Sequence, residues 1–227
     1  MTERPPGATA GRLGAWLGLV LALAALAYAS TFAAGDDGGR SSDFFYRWDT
    51  FVGGLVQDGL LLGLLLWIVR RGPARLLLAL RRPRSWLRAA GLMLLVLVLV
   101  WILGVVLEPY LHAGDEQGLV PERWRPEEAA PFAANLGFTA LAVPVVEELT
   151  FRGAGFSLLA ARYGKGVAIG GTAVLFGAVH GLVLALPVLV AFGLGLAWIR
   201  SRSGSVYPGI VLHGLFNTIA VLLGVFA

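Results

Sequence analysis

The feature that most constrains this sequence is a series of apolar runs, each close to the length that crosses a lipid bilayer. A helix needs about 20 mainly apolar residues to traverse a hydrocarbon core of about 30 Å. Leu13–Ala34, Phe51–Val69 and Ala89–Leu107 meet that need. Phe132–Ala161, Gly166–Val183, Leu184–Ile199 and Val206–Phe226 follow at closer intervals, the fifth and sixth short and parted only by the junction Leu184–Pro187. No segment alternates apolar and polar residues as barrel strands do, and helices satisfy their backbone groups internally in lipid. The expected fold is therefore an all-α polytopic transmembrane helix bundle of about seven spans, within a range of six to eight. Composition agrees, since 57% of the 227 residues are hydrophobic and 14% charged, against about 25% charged in a soluble domain. Those proportions exclude a soluble enzyme, a disordered chain, a coiled coil and a collagen-like rod. The absence of cysteine removes disulfides, iron–sulfur clusters and a thiol nucleophile.

Charge then orients the bundle. Arg70, Arg71, Arg75, Arg81, Arg82, Arg84 and Arg88 lie between the second and third spans. Arg162 with Lys165, and Arg200 with Arg202, fall in alternate loops on the same side, while Asp36, Asp37, Asp43, Asp49, Asp115, Glu116, Glu122, Glu127 and Glu128 lie on the other. The positive-inside bias is met with a cytoplasmic amino terminus and an external carboxyl terminus, in the inner (cytoplasmic) membrane. The arginine loop reads as a topology signal that attracts anionic membrane lipid, and no nucleic-acid partner is expected. Arg4 and Arg12 precede the first run and Ala27-Tyr28-Ala29 resembles a cleavage site, but 22 apolar residues exceed a signal peptide's usual core of roughly 7–15. An uncleaved span is expected. The chain divides into a three-span region over 1–131, with the arginine loop, and a four-span core over 132–227.

Polar residues inside the spans point to a function. Of 14 acidic residues only Asp58, Glu147 and Glu148 fall there, and a charge at a helix centre is costly enough to face the bundle interior. Arg152 follows Glu148 by four residues, which places the two within ion-pair reach on one face. Glu147 points about 100° away and stays available for another partner. Pro144, three residues upstream, lacks a backbone donor, so an unwound or kinked turn is expected beside the pair. His180 and His213 lie in the fifth and seventh spans, with Phe176 four residues before the first and Asn217 four after the second. Asp58, beside Gln57 near the outer end of its span, reads as structural.

Singly, such residues serve packing; together they make a chemical set. A carboxylate near a neutral imidazole can hold and deprotonate water, and a second imidazole with an amide can donate to a developing oxyanion. That set supports water attack on an amide or ester within the membrane. H-E-x-x-H is absent, an aspartyl pair is missing, and Gly155-Phe156-Ser157 is a weak serine signal. Glu147, His180 and His213 also make up a zinc set of two histidines and one carboxylate.

Glu147-Glu148-x-x-x-Arg152, Phe176-x-x-x-His180 and His213-x-x-x-Asn217, in this order on separate apolar helices, resemble the intramembrane CAAX prenyl protease and bacteriocin-processing family (the Abi, or type II CAAX endopeptidase, family). The glycine-rich segment Gly195–Tyr207 is similar as well, so the resemblance covers roughly 132–227 and leaves the first three spans without a signature. It implies a hydrolase acting as an intramembrane, glutamate-dependent endopeptidase that needs no metal or other cofactor. By resemblance Glu147 and His180 activate water, and His213 and Asn217 stabilise the tetrahedral intermediate. Glu148 and Arg152 support them, and Phe176 is the aromatic before the histidine. The implied partner is a membrane-associated or membrane-embedded peptide or protein substrate. A non-catalytic membrane scaffold or bacteriocin-immunity protein of the same fold is the alternative. Arginine outnumbers lysine 17 to 1, as in a GC-rich bacterial genome, where a prenylated substrate is not expected.

Overall fold

The computed structural model of the chain describes residues 7–34, 43–113 and 123–226. All described regular structure is helical. Among the described residues seven principal helices follow the apolar runs: α1 Ala10–Ala34, α2 Trp48–Val69, α3 Trp86–Leu111, α4 Pro126–Tyr163, α5 Lys165–Ala178, α6 Leu186–Ser203 and α7 Tyr207–Phe226. The expected all-α multi-pass bundle is present. Five of the seven (α1 to α4 and α7) have the length and composition of full spans. The fifth does not: its 14 residues reach roughly 21 Å, short of a hydrocarbon core of about 30 Å. It stops at Ala178, so His180 lies in the turn beyond the helix rather than within a span. Gly181, at φ +64°, completes that turn against the backbone of Ala27 in α1, where a Cβ would sit 2.7 Å from the Ala27 carbonyl carbon. Only glycine meets both demands.

Helix α4 governs the rest. It has 38 residues and is not uniformly wound. Wide π turns over Phe138–Ala142 and Leu149–Gly155 flank the α-helical segment Val143–Glu148. The unwound turn expected near Pro144 thus takes the form of a π segment. Proline cannot donate to the carbonyl four residues back, and that carbonyl, Ala140 O, instead lies so close to Gly214 of α7 that a Cβ there would collide with it. Neighbouring Thr139 O accepts from Asn217 Nδ2 of α7 at 3.0 Å. Carbonyls of the second π segment are taken in the same way, Thr150 O by Trp16 Nε1 of α1 at 2.9 Å and Arg152 O by Arg200 Nε of α6 at 3.0 Å. A π turn lasts in an apolar interior only if the backbone groups it releases find partners, and three other helices supply them.

One buried apolar cluster joins Trp16, Leu65 and Leu77 to Phe151, Phe176, Phe192 and Leu212, so α1 and α2 pack directly on the carboxyl-terminal helices. The Arg-rich segment is folded as well. Ser85 caps α3 by accepting from Arg88 N, Arg81 Nε donates to Gly204 O at 2.6 Å, and Val206 N donates to Ala79 O. Arg200 departs from its expected place in a loop. It belongs to α6, is 8% exposed and lies over the Phe156 ring. At the opposite end Asp43 pairs with Arg125, Tyr46 OH donates to Arg123 O, and Asn135 Nδ2 donates to Phe45 O and Arg47 O. Arg4, Asp36, Asp37, Asp115, Glu116 and Glu122 lie outside the described residues.

Candidate active site

The turn Val143–Glu148 presents its two carboxylates to different neighbours. Glu148 points inward, where Arg152 Nη1 lies 3.0 Å from its Oε1 and both side chains are fully buried. A second guanidinium nitrogen, Arg152 Nη2, donates to Gly193 O at 3.0 Å, and the cation sits 4.3 Å from the centre of the Phe176 ring. The arginine therefore ties α4 to α6 and α5 at once. Gly209 admits Glu148 to α7, since a Cβ there would collide with Glu148 Oε2. This is the pair that the four-residue spacing predicts.

Glu147 faces α7. Its Oε2 lies 3.7 Å from His213 Nε2, and its side chain is 19% exposed while that of His213 is 4% exposed. The other ring nitrogen, His213 Nδ1, lies 3.4 Å from Glu148 Oε1. One imidazole is thus held between two consecutive carboxylates, only one of which has a permanent cation. Phe176 and Phe192 pack edge-on against that imidazole, with ring centres 5.6 and 5.4 Å away, and Phe192 stacks on Phe216 at 4.4 Å. Their apolar faces fix the plane of the ring and exclude water from its sides.

His180 approaches from the turn after α5. Its Nδ1 is 2.7 Å from Phe176 O, and its ring lies edge-on to Phe176 at 4.9 Å. A neutral imidazole that donates through Nδ1–H keeps Nε2 as an acceptor. Phe176 therefore has a histidine against it from each of two elements. Asn217 reaches the same region of α7 but spends one amide hydrogen on Thr139 O. The structure brings Glu147, Glu148, Arg152 and His213 into direct contact and joins Phe176, His180 and Asn217 to them through rings and backbone. The imidazole beside Glu147 is that of His213, while His180, expected by resemblance to activate water together with Glu147, bonds Phe176 O through Nδ1.

Two residues that the sequence left outside the set border it. Phe192 is a core aromatic by composition, and nothing in its spacing marks it. Asp58 on α2 is half-buried, its Oδ2 has no hydrogen-bond partner, and α2 packs against the segment Val143–Glu148 that carries Glu147. The available signal was its rarity, as the third of three acids within the spans. Among the described residues no three His, Asp or Glu side chains gather into a metal-binding group.

Residues 129–219 match the family described as Type II CAAX prenyl endopeptidase Rce1-like. No match was found among curated proteins or among solved structures. The matched stretch takes in the Glu147-Glu148, His180 and His213 regions and ends two residues past Asn217. It supports an intramembrane CAAX protease-type function, in keeping with several helices long and apolar enough to span a membrane. Through residues 129–219, this multi-pass membrane protein is similar to the family of Rce1-like type II CAAX prenyl endopeptidases.

Proposed function

We propose that the chain is a metal-independent intramembrane endopeptidase whose water is activated by Glu147. The observation that carries this reading is the asymmetry of the two carboxylates. Glu148 is neutralised by Arg152, whereas Glu147 has only an imidazole beside it and keeps a partly open side chain. A carboxylate so placed takes a proton from water as the water oxygen bonds to the scissile carbonyl carbon. The negative charge moves to the carbonyl oxygen. His213 Nε2 lies on the side of Glu147, and Asn217 keeps its second amide hydrogen; an Nε2–H and that amide are donors suited to the oxyanion. Collapse breaks the carbon–nitrogen bond, and the proton held by Glu147 passes to the leaving amine. His180, with Nε2 free to accept, shares the positioning of the water.

The substrate is a peptide or protein held at or in the membrane, and the protein is placed in the cytoplasmic membrane with its amino terminus inside. Substituting Glu147→Gln, His180→Ala or His213→Ala should abolish release of carboxyl-terminal peptides from membranes, while Glu147→Gln stays folded by melting temperature. Wild-type peptide release by purified Glu147→Gln protein would remove the hydrolytic reading and leave a scaffold or immunity role.

A further inference from the structure

Where α1 begins and α2 ends, beside the Arg-rich segment, a cavity of about 320 Å³ opens between the two helices. That is room for on the order of ten water molecules. Arg12, Arg70 and Arg71 line it together with Thr9, Ala15 and Trp67, and its wall includes no acid. Arg12 is fixed in place, its Nε donating to Ile68 O at 3.2 Å and its Nη1 to Gly7 O at 2.5 Å. Arg70 stacks over the Trp67 ring at 5.0 Å. None of the three has a carboxylate partner among the described residues. The first turn of α1 also turns its unbonded N–H groups and positive dipole end to this region.

Three guanidinium groups around one opening repel each other, and an anion with several acceptor oxygens relieves that repulsion. Guanidinium forks match phosphate in geometry and charge. The wall carries a second instruction. Ala15 and Trp67 extend it along the apolar faces of both helices, and Trp67 is 56% exposed. A tryptophan next to arginines at the end of a span marks headgroup depth. A free phosphate would use the arginines and leave that apolar wall bare, whereas a phospholipid covers both.

We propose that this cavity is a binding site for a phosphate-bearing anion, namely the headgroup of an anionic phospholipid, with its first acyl carbons along Ala15 and Trp67. The site is separate from the carboxylate–histidine cluster and does not depend on the hydrolytic reading. It differs from diffuse attraction of the whole arginine segment, because it assigns the binding to the two arginines that line the cavity beside Arg12.

The test uses the purified full chain, stripped of lipid in detergent and titrated with phosphatidylglycerol, phosphatidylcholine or inorganic phosphate, with bound lipid counted by native mass spectrometry. Phosphatidylglycerol should bind as one retained molecule and phosphatidylcholine should not. Arg70→Gln/Arg71→Gln should weaken retention roughly 30-fold, from the usual contribution of a basic side chain at an anionic membrane surface. Arg75→Gln/Arg82→Gln removes the same charge from exposed positions outside the cavity and should leave retention within about threefold. All four arginines are exposed, and melting without lipid reads folding separately. Equal loss in the two double variants would overturn the site in favour of diffuse attraction. Equal retention of phosphatidylcholine, or occupancy by inorganic phosphate with no lipid retained, would overturn the phospholipid assignment.

Discussion

Replacing Arg152 with methionine isolates the interaction on which the geometry of the carboxylates rests. The substitution keeps most of the side-chain volume but removes the guanidinium paired with Glu148, which is fully buried and, among the described residues, is paired with no other arginine or lysine. It also removes the donor to Gly193 O and the cation over Phe176. Breaking a buried pair from one side costs about 3–5 kcal/mol, because the remaining charge stays without compensation. In a chain of this size 1 kcal/mol moves the melting temperature by about 2–4 °C, so Arg152→Met should melt roughly 6–20 °C below wild type in detergent. The double variant Glu148→Gln/Arg152→Met removes both charges and leaves an amide able to bond His213 Nδ1. It should regain much of the loss, since an uncharged replacement of a buried pair is often close to neutral. Thermal melts of the wild type, both single variants and the double variant close the cycle. The reasoning fails if Arg152→Met melts within about 2 °C of wild type, or if the double variant is less stable than Arg152→Met alone.

Two other substitutions probe the packing around the same helix. Gly155→Ala would drive a methyl into the Trp16 ring, which is fully buried and bonded to Thr150 O; overpacking of this kind costs about 1–3 kcal/mol. Hydrogen exchange should then show faster opening of α1, and unchanged protection there would contradict the contact. Asp58→Asn replaces a carboxylate whose buried Oδ2 has no donor with a neutral amide, and should raise stability by about 1 kcal/mol. A clear loss in chemical denaturation would show that Asp58 has a stabilising partner.

The seven helices and the pairing of Glu148 with Arg152 were legible because they depend on local periodicity and on one spacing of four. The divergence of Glu147 from Glu148 followed from the same geometry. What lay beyond reach was set across the bundle. No residue pattern near 138–142 or 149–155 announces a π turn, since such a turn persists only where Asn217, Trp16 and Arg200 donate to its released carbonyls. Arg200 looked like a loop cation because the apolar run ends at Ile199, yet its place is decided by Arg152 O, 48 positions earlier. By sequence alone His180 falls in a span, because Gly181–Val183 continues the apolar run. The helix stops sooner because Gly181 takes up a left-handed conformation against α1. The imidazole beside Glu147 was likewise a tertiary matter, as spacing alone gives no preference between His180 and His213.

The two wide turns in α4 carry one more consequence. Each uses more residues per revolution than the regular winding on either side, so the halves of this helix are out of phase with one another. A periodic hydrophobic pattern drawn through Phe132 and continued past Phe156 therefore loses its phase on the way. Omitting a single residue between 149 and 155 would do more harm than exchanging most of the side chains there. The turn would close to regular winding, and the carbonyls that Trp16 and Arg200 now bond would return to the helix's own N–H groups, cutting two ties between α4 and its neighbours.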